Sequence, residues 1–260
     1  MQTLNIAAVQ LDIKWLDKTR NLSHIDDLIR TEINTNIDLI LLPETFSTGF
    51  CINKPDVEEV EESSQVLDWL KESAKKYNAV MAGSVLVKYA QKKVNRFYWV
   101  FPSGRVEFYD KRHLFRLGNE GDYVLQGNER KVITIKGVKI LPLVCYDLRF
   151  PVWARNNQDY DLIVNVANWP SARRKIWDTL LMARAIENQA YVIGVNRVGE
   201  DGNAVAHCGG TALYDFSGET LSCAKNNKEQ VVRMQLNIDE LTQFKAKFPA
   251  YLDADNFEII

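Results

Sequence analysis

Short apolar runs alternate with helical segments along the first half of the chain. The strand-like runs IAAVQ from Ile6 and DLILL from Asp38 are separated by a polar segment that extends to about Asn34. A charged helical stretch from about Ser63 to Tyr77 precedes another strand-like run, AVMAGSVLV from Ala79. Strands that alternate with helices in this way predict parallel strands joined by crossover helices.

The second half of the chain repeats the order of the first. In the first half, FYWVFPSGRVEFY from Phe97 to Tyr109 predicts a hairpin, because Pro-Ser-Gly lies between two β-rich runs. The corresponding runs of the second half are KILPLVCY from Lys139, YDLIVNVA from Tyr160, AYVIGV from Ala190 and TALYDFSGETL from Thr211. They match, in turn, the N-terminal strand, IDLILLP, NAVMAG and the first hairpin. Self-similarity on this scale predicts two pseudo-equivalent halves that each supply one sheet.

These two halves predict an α/β fold, a four-layer α-β-β-α sandwich in which two sheets pack face to face and helices cover their outer sides. A long helix from about Ala172 to Gln189 carries a broad apolar stripe, as expected of a helix that covers a sheet. Arg184 and Glu187 lie about one turn apart in it and are expected to form a structural ion pair. The sequence has no linker or low-complexity segment, so residues 1–260 are expected to form a single domain.

Composition and charge exclude several classes of protein. Apolar residues make up 46% and charged residues 25%, which is typical of a soluble domain. The 32 basic and 34 acidic residues give a net charge of −2, which argues against a nucleic-acid or anionic-membrane partner. No apolar run has the length of a membrane span, and the N-terminal MQTLNIAAVQLD lacks the features of a signal peptide. We therefore expect a cytoplasmic protein.

The cysteines and histidines do not indicate a metal site or a disulfide framework. Cys51, Cys145, Cys208 and Cys223 are dispersed and form no C-x-x-C pair. The chain has only three histidines, and the one adjacent His–Cys pair, His207 and Cys208, precedes two glycines and is interpreted as loop. No metal is expected.

Three polar residues follow apolar runs at the points where buried strands are predicted to end. Glu44 follows LILLP, Lys111 follows VEFYD and Cys145 follows LPLV. Each is ordinary by itself, since a lone cysteine is usually a small core residue and a lone lysine is usually solvated. Ligands collect beyond the carboxyl ends of strands in α/β sheets, so the three side chains are predicted to meet in one pocket. A thiol, a carboxylate and an amine together supply the groups for amide hydrolysis through a thioester.

The segments around these residues resemble a known family. LPETF from Leu42, YDKRHLF from Tyr109, LVCYDLRFP from Leu143 and NWP from Asn168 are similar to the motifs of the nitrilase superfamily of carbon-nitrogen hydrolases. Further segments, CYDLRFPVWAR, ARAIENQAY, NRVG and FPAYLDAD, resemble its omega-amidase branch, whose members hydrolyse the terminal amide of 2-oxo acids. The resemblance extends over nearly the whole chain and implies the same α-β-β-α sandwich and a homodimer. The reaction needs no cofactor, because it involves neither redox nor phosphoryl chemistry.

Carried over to this sequence, the resemblance assigns roles to four residues. It implies that Cys145 is the nucleophile, Glu44 the general base, Lys111 the cation that stabilises the oxyanion, and Glu120, in LGNEGD, a second glutamate of the site. The backbone N–H of Tyr146, directly after the nucleophile, is expected to be a second oxyanion donor.

The expected substrate is a small amide of a 2-oxo acid, such as 2-oxoglutaramate or 2-oxosuccinamate. Its carboxylate suits a bidentate arginine, for which Arg116 and Arg173 are the candidates. Tyr146, Trp169 and Phe46 are candidates for the walls of the binding slot.

Other functions remain open at this stage. An amidase of the same fold acting on deaminated glutathione or another linear amide is the nearest alternative. A cysteine hydrolase with His113 as its base is disfavoured, since no Asn or Asp partner for it is evident in the sequence. A non-catalytic scaffold would also keep the sandwich, but it would not require Glu44, Lys111 and Cys145 together. The apolar C-terminal run from about Phe244 to Ile260 is a candidate dimer surface.

Overall fold

Two six-stranded sheets form the centre of the protein. The computed structural model describes residues 2–33, 36–255 and 257–258. The strands of the first sheet are β1 (Thr3–Gln10), β2 (Leu39–Leu41), β3 (Val80–Tyr89), β4 (Lys92–Val100), β5 (Val106–Asp110) and, from the end of the chain, β14 (Gln230–Asn237). The strands of the second sheet are β6 (Ile133–Ile135), β7 (Val138–Val144), β8 (Leu162–Ala167), β9 (Tyr191–Asn196), β12 (Ala212–Tyr214) and β13 (Thr220–Cys223).

The remaining elements are a short hairpin and six α-helices within the described residues. The hairpin pairs β10 (Val198–Glu200) with β11 (Ala206–Cys208). The helices are α1 (Lys18–Glu32), α2 (Gln65–Tyr77), α3 (Glu120–Tyr123), α4 (Pro151–Ala154), α5 (Arg174–Asn188) and α6 (Ile238–Lys247). His207 and Cys208 therefore lie on a strand, so their interpretation as loop was wrong. This segment has an extended backbone because it pairs with the neighbouring strand, His207 with Gly199 and Cys208 with Val198.

The predicted repeat is confirmed by the topology of the two sheets. The first sheet has the order β14-β1-β2-β3-β4-β5, and the second has the order β6-β7-β8-β9-β12-β13. In each sheet an antiparallel edge strand precedes three parallel strands, which are followed by two antiparallel strands. Each strand of one six-stranded sheet thus has a counterpart at the same position in the other sheet.

Alternation of side chains along β1 defines two of the layers. Leu4, Ile6 and Ala8 lie in one apolar core with the strands of the second sheet, whereas Ala7 and Val9 lie in another core with α1 and α2. Side chains of a strand point alternately to its two faces, so the first sheet is covered on one face by the second sheet and on the other by helices. The α-β-β-α arrangement predicted from the sequence is therefore confirmed.

Helix α5 covers the second sheet, as its apolar stripe predicted. It begins at Arg174 instead of Ala172, because Pro170 is followed by a 3₁₀ turn over Ser171–Arg173. The predicted ion pair between Arg184 and Glu187 is present, with 2.8 Å between the guanidinium and the carboxylate.

Close packing between α5 and β9 requires a glycine in the strand. A Cβ atom at Gly194 would lie 2.4 Å from Leu181 Cδ1 and 2.6 Å from Trp177 Cζ2. We expect Gly194→Ala to lower the free energy of unfolding by about 1–3 kcal/mol, because the added methyl group overpacks a filled core. Urea unfolding followed by far-UV circular dichroism would measure the change. Gly121→Ala is the matched control, since its Cβ would meet only Leu114 Cδ1 at 3.9 Å; an equal loss in both variants would contradict the packing argument.

Candidate active site

Side chains from separate elements meet beyond the strand ends, as the sequence predicted. The ammonium of Lys111 lies 3.1 Å from Glu44 Oε1 and 3.0 Å from each carboxylate oxygen of Glu120. All three residues are fully buried. Lys111 follows β5, Glu44 lies three residues after β2, and Glu120 begins α3. One cation therefore bridges two carboxylates at the centre of the site.

The Glu44 carboxylate is held in one orientation through both of its oxygens. Asn95 Nδ2 on β4 donates to Oε1 at 2.9 Å, and the backbone N–H of Asn168 donates to Oε2 at 2.8 Å. Asn168 Nδ2 also donates to the backbone oxygen of Glu44 at 2.7 Å. Oε1 thus accepts from Lys111 and Asn95, and Oε2 accepts from Asn168. Rotation of the carboxylate would therefore break a buried hydrogen bond.

Cys145 occupies a sharp turn directly after β7. Val144 ends the strand in an extended conformation, Cys145 has φ +47°, and a 3₁₀ turn runs over Cys145–Arg149. A non-glycine residue in the left-handed region is uncommon and costs of order 1–3 kcal/mol, so the surrounding structure has to maintain it. The turn starts at Cys145, so the N–H of Tyr146 is one of the first amides of a helical turn, which have no acceptor within the turn.

The thiol opens into a cavity of about 310 Å³. Glu44, Lys111 and Cys145 lie in its wall together with the aromatic side chains of Phe50, Phe115, Tyr146 and Trp169. Two guanidinium groups, those of Arg149 and Arg173, line it as well. The cavity is thus small, partly aromatic, and carries a thiol, a carboxylate and cations.

A known protein family matches most of the chain. The sequence pattern of the carbon-nitrogen hydrolase family matches residues 5–246. The chain belongs to the carbon-nitrogen hydrolase family. It is a hydrolase that acts on carbon-nitrogen bonds, as the resemblance of its motifs implied.

Individual relatives cover the whole chain. The omega-amidase YafV of Yersinia enterocolitica is 45% identical over 260 residues, which is 100% of both chains. A 2-oxoglutaramate amidase of Bacillus subtilis is 31% identical and covers 95% of this chain and 96% of its own. The crystal structure of XC1258 from Xanthomonas campestris, a CN-hydrolase superfamily protein with an arsenic adduct in its active site, is 41% identical, covers 100% of both chains and superposes with a TM-score of 0.95.

Some of the substrate-binding candidates lie in the hydrolase cavity and others do not. Tyr146, Trp169 and Arg173 line it, whereas Phe46 and Arg116 are not among its lining residues. Phe46 is fully buried against Trp69, at a ring distance of 5.9 Å, because it packs in the core between the first sheet and its helices. Arg116 is exposed in a 3₁₀ turn.

Sequence reasoning missed several residues of the site. Asn95 gave no signal, because it lies in the middle of β4, where nothing marks it as different from other strand residues. Asn168 lies in the quoted NWP segment but was not assigned a role. Phe50 and Phe115 are ordinary aromatic residues in loops, and only the tertiary fold brings them to the cavity.

His113 has a carboxylate partner, contrary to the expectation from the sequence. Its Nδ1 lies 2.8 Å from Asp147 Oδ1. The expectation failed because the two residues are distant in sequence and meet only through the fold. His113 is still not among the residues that line the cavity, and its ring stacks on Phe150 with a centroid distance of 3.8 Å. It is thus not part of the wall of the cavity into which the thiol opens.

Among residues 2–33, 36–255 and 257–258, no cluster of three or more His, Cys, Asp or Glu side chains is arranged to hold a metal ion. In the same part of the chain, none of the helices combines the length and hydropathy of a membrane-spanning segment.

Burial and charge decide the ionisation of the catalytic groups. Burial raises the pKa of the Cys145 thiol well above its ordinary value, and the Glu44 carboxylate adds to this, while Lys111 opposes it. Burial also raises the pKa of Glu120, an effect that Lys111 opposes. For Lys111 burial acts to lower the pKa, but the two carboxylates outweigh it and raise the pKa above its ordinary value. The resting site therefore holds a neutral thiol beside a protonated lysine.

Replacing the base should separate thiol ionisation from catalysis. We expect Glu44→Gln to lower the pKa of the Cys145 thiol, because it removes the negative charge that raises this pKa and leaves the opposing Lys111 in place. Turnover should nevertheless fall by about 10²–10⁴-fold, because no general base remains. The pH dependence of iodoacetamide labelling of the Cys145 peptide, followed by mass spectrometry, would measure the pKa. Glu62→Gln, at an exposed position, is the control; an unchanged or raised thiol pKa in Glu44→Gln would contradict the assignment.

Proposed function

We propose that this carbon-nitrogen hydrolase is an omega-amidase, which hydrolyses the terminal amide of small 2-oxo acid amides such as 2-oxoglutaramate and 2-oxosuccinamate. The observation that carries the proposal is the arrangement of Cys145, Glu44 and Lys111 in a cavity that also contains two arginines, with Glu120 in contact with Lys111. The relatives named as omega-amidase and 2-oxoglutaramate amidase support it.

The first half of the reaction forms a thioester. Glu44 accepts the thiol proton as the sulfur of Cys145 attacks the amide carbon, so a free thiolate is not required in the resting enzyme. The oxyanion that develops is stabilised by the Lys111 ammonium and the Tyr146 backbone N–H. Glu44 then donates its proton to the amide nitrogen, ammonia leaves, and the acyl group remains on sulfur.

The second half releases the acid and restores the enzyme. Glu44, again a carboxylate, takes a proton from water, which attacks the thioester carbon at the same position. The oxyanion forms a second time between Lys111 and Tyr146, and its collapse returns the proton from Glu44 to the sulfur of Cys145. Glu120 holds the lysine in place through two 3.0 Å contacts during both steps.

The rest of the cavity suits a short acid. The guanidinium of Arg149 lies over the Trp169 ring at 5.4 Å, and that of Arg173 lies over the Phe115 ring at 5.4 Å. Within the described part of the chain, neither guanidinium has a carboxylate within ion-pair distance. A substrate carboxylate would supply the missing partner with two parallel hydrogen bonds. The volume of about 310 Å³ is at the lower limit of ligand pockets, which favours a small substrate.

Ammonia release tests the proposed activity. We expect wild-type enzyme to release ammonia from 2-oxoglutaramate and 2-oxosuccinamate, and Cys145→Ala to release none above the uncatalysed rate, because the thioester cannot form. A coupled glutamate dehydrogenase assay would measure the rate. Wild type that hydrolyses deaminated glutathione or a simple aliphatic amide, but neither oxo acid amide, would overturn the omega-amidase assignment and keep the hydrolase class.

The same assay locates the carboxylate-binding arginine. Arg149→Gln and Arg173→Gln are each compared with Arg116→Gln, the matched control at an exposed position outside the cavity. Loss of one hydrogen-bonded charge partner should raise KM for 2-oxoglutaramate by about tenfold or more in at least one cavity variant. KM for butyramide, which has no carboxylate, should stay the same. Equal losses on both amides would count against a role in binding the carboxylate.

We also propose a homodimer. The exposed fractions of Val152, Ile186, Phe248 and Leu252 are 58%, 50%, 61% and 67%, and these apolar side chains lie around two adjoining surface depressions near the end of the chain. Asn256, Ile259 and Ile260 of the candidate C-terminal surface lie outside the described residues.

Light scattering tests the proposed assembly. At micromolar concentration we expect a mass of about twice the 29.8 kDa chain, because contiguous exposed apolar surface favours association. A mass of one chain at that concentration would contradict the dimer.

The expected cytoplasmic location stays a prediction, which fractionation of cells would test.

A further inference from the structure

The carboxylate of Asp147 accepts hydrogen bonds from two different segments of the chain. Asp147 is fully buried two residues after the nucleophile. Its Oδ2 accepts from the backbone N–H of Val144 at 3.0 Å and from the hydroxyl of Tyr109 at 2.8 Å. Its Oδ1 accepts from the backbone N–H of His113 at 2.8 Å and lies 2.8 Å from His113 Nδ1. A single buried side chain thus joins the segment 109–113 to the segment 144–147.

These two segments carry the nucleophile and the cation of the reaction. Lys111 lies between Tyr109 and His113, and Cys145 lies between Val144 and Asp147. We propose that Asp147 is a positioning residue that sets the separation and orientation of the Cys145 thiol and the Lys111 ammonium. The inference rests on the proposed roles of Cys145 and Lys111, and it adds a residue that does not itself touch the substrate.

The pattern of hydrogen bonds requires a carboxylate. An ionised carboxylate only accepts and has about four acceptor positions, which suits the three donors around Asp147 and, in the tautomer that carries its proton on Nδ1, the His113 ring as well. Burial, together with Asp147, raises the pKa of Tyr109 well above its ordinary value, so the phenol keeps its proton and donates. Tyr109 in turn accepts from Trp153 Nε1 at 3.1 Å and from the backbone N–H of Arg112 at 3.2 Å. An asparagine at 147 would turn its own N–H groups toward two of these donors.

The other end of the nucleophile turn has separate anchors. Arg184 on α5 donates to the backbone oxygen of Leu148 at 2.7 Å, and Asn165 Nδ2 lies 3.5 Å from the backbone oxygen of Cys145. The left-handed conformation of Cys145 is therefore held from the helix and the sheet as well as through Asp147. Weakening Asp147 alone should loosen the turn on the side of Lys111 while the fold remains.

The test compares two pairs of matched variants. Asp147→Asn and Tyr109→Phe change the proposed link. Asp26→Asn and Tyr77→Phe make the same chemical changes on the outer helices, where Asp26 accepts from Trp69 Nε1 at 3.2 Å and lies 3.4 Å from the Tyr77 hydroxyl. For each variant, kcat, KM, the melting temperature and the rate of iodoacetamide labelling of the Cys145 peptide are measured.

Displacement of reacting groups should lower kcat and leave substrate binding largely intact. We expect Asp147→Asn to reduce kcat by about 30–100-fold with KM within about threefold of wild type, since a shift of about 1 Å costs on this order. Labelling of Cys145 at neutral pH should slow by about tenfold or more, because a thiol displaced from the Lys111 ammonium ionises less readily. Tyr109→Phe should reduce kcat by a smaller factor of about five, and the double variant should fall short of the product of the two effects, because both act through one link. Both outer-helix variants should keep wild-type kcat.

Several results would overturn the proposal. A kcat of Asp147→Asn within about threefold of wild type would do so, as would a loss of kcat that equals the loss of folded protein. Should Asp147→Asn fail to fold, Tyr109→Phe decides, and unchanged kcat and labelling there would reject the link. The labelling measurement needs no substrate, so it tests Asp147 even if wild type hydrolyses neither oxo acid amide, a result that would overturn the omega-amidase assignment alone.

Discussion

A lysine buried between two carboxylates is the constraint on which the catalytic site depends. An unpaired charge in the interior of a protein costs several kcal/mol, so Lys111 is tolerable only while Glu44 and Glu120 remain within about 3 Å of it. The three groups come from different parts of the chain, and the attraction of each carboxylate to Lys111 holds the cluster together. Asn95 and Asn168 then satisfy the remaining acceptor sites of Glu44. Loss of Lys111 would leave two buried carboxylates without the cation that both of them contact.

The same electrostatics explain why Cys145 rests as a neutral thiol. Two carboxylates and burial favour the neutral form of Cys145, and a single ammonium does not reverse this. In the proposed mechanism, attack is therefore concerted with proton transfer to Glu44, whose carboxylate is held through both of its oxygens. The left-handed backbone of Cys145 adds a second requirement, since a strained turn persists only where its surroundings maintain it. Asp147, Asn165 and Arg184 supply those surroundings from three directions.

Local sequence patterns predicted most of the fold. The repeated order of strands and helices corresponds element by element to the two sheets, because alternation of strand and helix and short turn signals are local properties of a sequence. The residues at strand ends were found for the same reason, since a polar residue after an apolar run is visible without tertiary information. Phe46 was misplaced because an aromatic residue near a strand end can pack inward or line a cavity, and the sequence pattern is the same in both cases. Arg116 was misplaced because the loop before α3 turns it away, to the surface.

By itself, the sequence determined which elements form, their repeated order and the chemical groups available beyond the strand ends, and its motifs indicated the family. Only the tertiary structure decided which of these groups meet. The pairing of His113 with Asp147 and of Asn95 with Glu44 joins residues 34 and 51 positions apart. No periodicity links such residues, because their contact depends on how two sheets pack and on the paths of the loops between them. Distances of about 3 Å between charged groups are set by that packing, and they distinguish a catalytic cluster from the same residues scattered over a surface.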